Sequence, residues 1–475
     1  MSERLPVKLD FIGEPFDGPA VLHILRHVAM RAGWTIKPQA QNRIIYATTE
    51  EPAEINAGEN DLVILSSSAV KKHLRESKEP FTFASLPEGR LPFPHPKWPE
   101  FKRKGWIAAD VIAGALGVLN LWFESQTLSE KKYNWIPFIE DWWKKAGWQK
   151  PEPVVDQWLN SITNAASALG WPQIITEQQP TVLLTHDVDY LPSRFNRGLP
   201  RFLRSLARQA ITRHRLGDAM LNAHAYARTF IHTLPYYDFE KITNGEILKG
   251  VFSSFQFVRR SGHRFDPAYD LDNPLFREAL SILRENDFEV CLHGSYKAGD
   301  EPDRLAEEKK DIEHIFGNEI TGHRQHYLHF HPQTFFAGIE KAGFRYDMSV
   351  GYNDMVGPRA GTYFPYRPYD QKHGMPFSFW EFPLVLMDTT MATTFRYSPA
   401  EALSTCKKEL SHAMETKGCV SIIWHQEQLG GLLDPGYDLV YWNLIDYLHE
   451  QQVRMTSGKM ILQEMDELWR QTIRQ

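Results

Sequence analysis

Cysteine is scarce in this chain. Cys291, Cys406 and Cys419 are the three in 475 residues, well separated and without Cys-x-x-Cys spacing, which excludes a disulfide framework and a thiolate zinc site. A reducing compartment is the expectation. Long apolar runs are missing as well: MSERLPVKLDFIGEPFDG shows none after its charges, and no later segment reaches the roughly 18 uninterrupted apolar residues of a membrane helix. The reading is a soluble, cytoplasmic protein with no transmembrane segment. Nor is there an excess of positive charge. The formal net charge of -6 removes the electrostatic reason to expect nucleic acid or an anionic membrane, and a neutral substrate suits it better. What is present is 42% hydrophobic content, enough for two or three ordinary domains with substantial cores.

The chain divides in texture near residue 178. In 1–178, Ala20 to Trp34 carries apolar residues at helical spacing, while IIYAT from Ile44 and LVILS from Leu62 read as short strands, so a small α/β accessory domain is expected. Trp106 to Ser125 reads as one mostly apolar helical stretch, buried rather than membrane-spanning because Asp110, Asn120 and Glu124 interrupt it. Trp135, Trp142, Trp143, Trp148, Trp158 and Trp171 suit either a sugar-stacking surface or a domain interface, chiefly the latter.

From 179 to 475 the pattern is strand then helix, repeated, with polar residues where each apolar run stops. TVLLTHDVDY (Thr181 to Tyr190) ends in Asp187 and Asp189, FEVCLHGS in His293 and Ser295, and CVSIIWHQE in His425 and Glu427. GVFSSFQFV, the segment around His323, FRYDMSVGY and FWEFPLVLMD supply further strands. Such strand ends are the organisation of a (β/α) barrel whose loops on one face build a site, with an open doubly wound sheet as the alternative. A basic helical insertion, about 191–245, follows the first strand. Its Arg run reads as a solvated helix face or as a lid over substrate.

Carboxylate and imidazole at neighbouring strand ends suit a divalent metal that activates water and polarises a carbonyl. His293 with Asp187 or Asp189 is the core of such a site, and His323, His326 or Asp347 is the source of a third ligand. His425 can protonate a leaving group and Arg324 can orient a carboxylate. The chemistry indicated is metal-assisted hydrolysis of an amide or ester.

These motifs carry a resemblance. TVLLTHDVD, CLHGSY, GHRQHY, FRYDMSVGYNDMVGPRAGT and SIIWHQE together resemble the polysaccharide deacetylase superfamily, with its nodulation-protein homology domain, and especially a divergent bacterial branch found with surface-polysaccharide biosynthesis. The resemblance implies a distorted (β/α)7 barrel, a divalent metal of the Zn2+ kind, and removal of acetyl groups from N-acetylated sugars. It places Asp187, Asp189, Arg324 and His425 as catalytic residues and Asp187, Asp189 and His293 as metal ligands. Ser295, Tyr296, Lys297, His326, Tyr327, Arg359 and Glu427 are the implied substrate-binding residues. Two positions depart from the family pattern. Val188 stands where the second carboxylate of the first motif is usual, and Lys297 where the second motif has its second histidine; a protonated ammonium has no lone pair for a metal. Lys297 suits instead a phosphate or carboxylate on an activated or acidic sugar.

Two main readings follow: a deacetylase with an altered ligand set, acting on a carbohydrate or a nucleotide- or lipid-linked sugar precursor, or a binding or assembly protein that keeps the barrel without turnover. A different reaction on the same scaffold is the third. Polysaccharide-biosynthesis proteins are the implied partners.

Overall fold

The computed structural model describes residues 4–76, 83–86, 89–96, 103–125, 138, 142–174, 178–191, 239–267, 269, 271, 273–430 and 434–473. Most of the expected helical insertion, including its Arg run, lies outside these residues, as does Trp135. No helix among the described residues is long and apolar enough to cross a membrane.

The N-terminal part is built on a parallel sheet. β1 (Leu5–Ile12), β2 (Trp34–Ile36), β3 (Asn42–Thr48), β4 (Leu62–Ser66) and, after a hairpin of β5 (Phe83–Leu86) with β6 (Gly89–Pro92), β7 (Trp106–Ile107) align in the order β2-β1-β3-β4-β7. Ile44 to Ala47 and Leu62 to Leu65 are buried without alternation, as strands covered on both faces require. The crossover helix Gly18–Ala32 begins where the Asp17 carboxylate accepts the Ala20 N–H, and stops at Gly33 with φ 68.

The stretch read as one helix from Trp106 is divided. Asp110 accepts from Ala113 N–H, and the Tyr46 and Ser66 hydroxyls also donate to it, so a new helix, Val111–Leu119, starts there. Asn120 and Leu121, at φ 55, end that helix. Trp142, Trp143, Trp148 and Trp158 are buried and serve packing; the Trp143 indole N–H donates to the Arg359 carbonyl at 3.2 Å. Other buried polar contacts tie the same elements to the second half of the chain. Arg359 pairs with Glu124 at 2.6 Å, Asp156 accepts from Thr362 and the Tyr363 amide, and Asn120 accepts from the Tyr369 amide.

The second sheet holds β8 (Thr181–Val188), β9 (Ser254–Val258), β10 (Glu289–Gly294), β11 (Gly322–Gln325), β12 (Tyr346–Asp347), β15 (Trp380–Glu381), β16 (Leu384–Met387), β17 (Cys419–Ile423) and β18 (Arg454–Thr456). β13 (Tyr369–Asp370) and β14 (Met375–Pro376) form a small hairpin outside it. The path runs β15-β12-β11-β10-β9-β8-β17-β16, with β18 on β8, and every pairing is parallel. Its two ends are adjacent in sequence. Only Phe382 and Pro383 separate β15, paired to β12, from β16, paired to β17, so one pass of chain joins both edges and curls the sheet into a barrel. Counting that pass once, and setting β18 aside because it pairs only with the start of β8, gives seven positions, the distorted (β/α)7 arrangement; the open sheet is not what forms.

Helices Pro274–Glu285, Leu305–Phe316, Pro332–Ala342, Pro399–Glu415 and Tyr437–Glu450 pack around the strands. Leu183, Cys291, Tyr346, Met348, Trp380, Phe382 and Cys419 form a second buried cluster with Ile461, Leu462, Met465 and Trp469 of helix Gly458–Arg470.

Candidate active site

Side-chain alternation on β8 separates the roles within THDVD. Successive strand residues face opposite sides, so His186 and Val188 share one face with Val182 and Leu184, while Asp187 shares the other with Leu183 and Thr185. His186 is accordingly turned to the helical layer. Its Nε2 lies 2.8 Å from Glu246 Oε1 and its Nδ1 2.7 Å from the Trp424 carbonyl. Val188 packs in the apolar core. Asp187 and Asp189 meet the residues from the other strand ends.

Asp187 stands between Arg324 and His293. Its Oδ1 is 3.7 Å from Arg324 Nε and its Oδ2 3.5 Å from His293 Nε2. Arg324 is fully buried on β11 and donates to Thr185 Oγ1 at 2.9 Å. Alternation carries past β11 as well, since Arg324 and His326, two residues apart, both reach the cluster. Asp189 Oδ1 lies 3.5 Å from His293 Nε2 and 3.5 Å from His326 Nε2. One donor atom from each of Asp189, His293 and His326 falls within 4.8 Å of the others.

These residues fit a divalent metal. Asp189 Oδ1 is a buried acceptor with no hydrogen-bond donor among the described residues, a costly state that a cation would relieve, while Asp187 Oδ1 faces the Arg324 guanidinium. The nitrogen chemistry agrees. His293 Nδ1 lies 2.9 Å from the Arg324 carbonyl, an acceptor only, so Nδ1 carries the hydrogen and the Nε2 lone pair faces Asp189. One carboxylate and two imidazoles are a donor set that would hold a zinc-type ion and leave room for water or substrate. Gly294 follows His293 because space is lacking: a Cβ there would sit 2.6 Å from Gln325 Oε1 and from His323 Nε2.

Electrostatics polarise the cluster. Burial alone would raise the Asp189 carboxyl, but the His326 and His293 imidazoles outweigh it and hold it well below the usual range. Burial would lower His326, yet the Asp189 and Asp266 carboxylates lift it to about 9. His425 behaves alike on the facing side. It lies 3.8 Å through Nε2 from Asp189 Oδ2, and its Nδ1 is 2.6 Å from Asp388 Oδ1 while its backbone N–H donates to Asp388 Oδ2 at 2.8 Å. Against desolvation, chiefly Asp388 raises the imidazole to about 10.

The other sequence candidates fall in different places. His323 and Asp347 pair with each other at 2.6 Å in a buried network that includes Ser349, so of the three candidates for a third ligand it is His326 that joins Asp189 and His293. Ser295 is fully buried and its hydroxyl donates to Glu308 at 2.5 Å. Arg359 is committed to Glu124 and the Gly351 carbonyl. Lys297, half-buried in the turn Tyr296–Gly299, takes no hydrogen-bond or ion-pair partner through its ammonium among the described residues, and the donor cluster of Asp189, His293 and His326 is completed without it. Tyr327, at φ 59, projects partly exposed beside His326 with ring centroids 4.6 Å apart, and Tyr296 stacks between His263 and His329. Glu427 is partly exposed in the turn after His425. Sequence reasoning gave no role to Asp388 or Asp266. Asp388 had the same signal as Asp189, an acid at the end of an apolar run; Asp266 sits in a loop with no such pattern.

No family model and no curated protein matches the chain. Solved structures do show similarity. One is a putative polysaccharide deacetylase from Mycobacterium smegmatis, at 17% identity and TM-score 0.41 over 62% of this chain and 92% of that one. A probable polysaccharide deacetylase from Pseudomonas aeruginosa PAO1 gives 15% identity and TM-score 0.34 over 49% of this chain and 71% of that one. A mutant CE4 family pseudoenzyme with restored enzymatic activity gives 11% and 0.31 over 60% and 69%. The fold assignment itself rests on the strand order and closure described above.

Proposed function

We propose that the chain is a metal-dependent hydrolase that removes an acetyl group from an N-acetylated sugar or polysaccharide precursor. The observation that carries this reading is the convergence of Asp189, His293 and His326 between two differently equipped walls, Asp187 with Arg324 on one and His425 with Asp388 on the other. A divalent cation held by the three residues, zinc by its donor set, supplies Lewis acidity to an amide carbonyl and acidity to water. Asp187, oriented by Arg324, accepts the proton of the attacking water. His425, charged through Asp388, delivers a proton to the departing sugar amine. Tyr327 beside the cluster offers an aromatic face to a pyranose.

The absence of disulfides, with all three cysteines free and buried, supports a reducing, cytoplasmic setting and hence a nucleotide- or lipid-linked sugar precursor as substrate. The deciding experiment measures bound zinc and acetate release from N-acetylglucosamine oligomers and from a nucleotide-linked N-acetylated sugar. We expect one zinc per chain and acetate release lost in Asp187→Asn and His425→Ala. Zinc binding without acetate release from either substrate would replace this reading with that of a binding or assembly protein.

A further inference from the structure

The loop between β9 and helix Pro274–Glu285 brings a fourth carboxylate to the cluster. The Asp266 side chain is fully buried, and its Oδ1 faces His326 Nδ1 at 3.8 Å, on the side of the ring away from Asp189. The imidazole thus lies between two carboxylates, one at each nitrogen: Asp189 Oδ1 is 3.5 Å from Nε2. His326 Nδ1 is itself buried and has no hydrogen-bond partner among the described residues, so Asp266 is the acceptor within a small movement of it. Asp266 is in turn fixed from behind. Oδ1 accepts the Tyr296 amide at 2.8 Å, and Oδ2 accepts the Ser261 amide at 2.7 Å and the Ser261 hydroxyl.

This arrangement answers a problem that His326 poses and His293 does not. His293 has its Nδ1 hydrogen anchored by a main-chain carbonyl, which leaves one tautomer. His326 follows β11 in a turn whose Tyr327 and Leu328 both have positive φ, at 59° and 48°, and no main-chain carbonyl anchors its ring. A ligating imidazole needs an acceptor at its remote nitrogen to hold the ring and keep the coordinating lone pair free. We infer that Asp266 is the positioning residue for His326, closing on Nδ1–H so that Nε2 serves the metal, and that the Ser261 and Tyr296 donors exist to aim it. The inference rests on the metal reading above and adds to it a residue outside the motif set.

The test compares zinc affinity of the wild type, Asp266→Asn and Ser261→Ala by competition with a chromogenic chelator at fixed pH. Nitrogen-15 NMR of the zinc-loaded proteins reads the hydrogen on His326 Nδ1. Mutation of a partner of this kind weakens metal binding about 10- to 100-fold; Asp266→Asn keeps one oxygen for two sets of donors, so its NH2 must meet either the Ser261 donors or the Tyr296 amide and His326 Nδ1–H. Asp266→Asn should fall in that range with the metal-free melting temperature close to wild type, and Ser261→Ala should lose affinity in the same direction but less. The zinc-loaded wild type should show Nδ1–H. Unchanged affinity in a folded Asp266→Asn, or zinc on Nδ1 of His326 in the wild type, overturns the inference while the metal reading stands. If Asp266→Asn does not fold, unchanged affinity in Ser261→Ala overturns it. A wild type that binds no zinc defeats the metal reading and this inference with it.

Discussion

Replacing Asp388 by Asn isolates the charge that holds His425. In the wild type the carboxylate accepts both the imidazole and the backbone N–H of His425, at 2.6 and 2.8 Å, and also the Thr389 amide at 2.7 Å. The carboxamide keeps one oxygen acceptor and turns an NH2 toward the second set of donors. The rise of His425 from 6.5 to about 10, at about 1.4 kcal/mol per pH unit, bounds the stabilisation at about 5 kcal/mol. The sign is set by a folded-state value above the unfolded one: the contribution is complete below about pH 6.5 and is lost as pH rises through about 10. At pH 7 the variant should therefore lose about 3 to 4 kcal/mol, the range for breaking a buried pair. At pH 10.5, where the wild-type ring is mostly neutral, the loss should shrink to about 1 kcal/mol for a hydrogen bond. Urea unfolding of both proteins at the two pH values measures this difference, in which all other titrations cancel. Carbon-13 NMR of His425 should show its titration moving down from near 10, because desolvation is then opposed only by the Asp189 and Asp187 charges. An equal loss at both pH values, or a wild-type His425 titrating near 6.5, would refute the reasoning.

His326→Ala should reduce zinc bound after dialysis to a small fraction of wild type, while Lys297→Met leaves it unchanged; metal analysis of both variants checks which residue completes the triad. Because His326 holds a proton up to about 9 and Asp189 is already ionised, zinc must displace that proton. Affinity should rise about tenfold per pH unit between pH 6.5 and 8.5, and chelator competition showing no pH dependence would count against the assigned protonation states. Glu124→Ala strands the Arg359 guanidinium in the interior and should cost about 3 to 5 kcal/mol by urea unfolding, with zinc affinity of the folded fraction unaltered.

The barrel was legible because each apolar run is short and stops on polar residues, as TVLLTHDVD and CVSIIWHQE do. Its closure was not. β12 and β15 are two residues each, too brief for a hydrophobic period, and the pairing of the 380–387 pass with both sheet edges is a long-range fact. Alternation on β8 explains why Val188 does not weaken the first motif: it points into the core while Asp189 takes the inward position. Lys297 is a difficulty only for the family pattern, which takes both imidazoles from one motif; the sequence offered His323, His326 and Asp347 for the remaining ligand without deciding among them. His326 comes from the next strand end, a neighbour in space that spacing along the chain does not reveal. The break at Asp110 was hidden for a similar reason, since its partners Tyr46 and Ser66 lie far upstream.

The pass through Phe382 and Pro383 acts as the clasp of a hoop. Glu381 on its near side pairs with Asp347 of β12, and Asp388 beyond its far side steadies His425, so the two edges of the sheet share one length of chain. A residue inserted in an exposed turn is absorbed locally. One inserted between Glu381 and Leu384 would turn the following strand over and alter the circumference, carrying Asp388 away from His425. Variation in length among descendants of this sequence should therefore avoid this clasp even though Phe382 in it serves only the buried core.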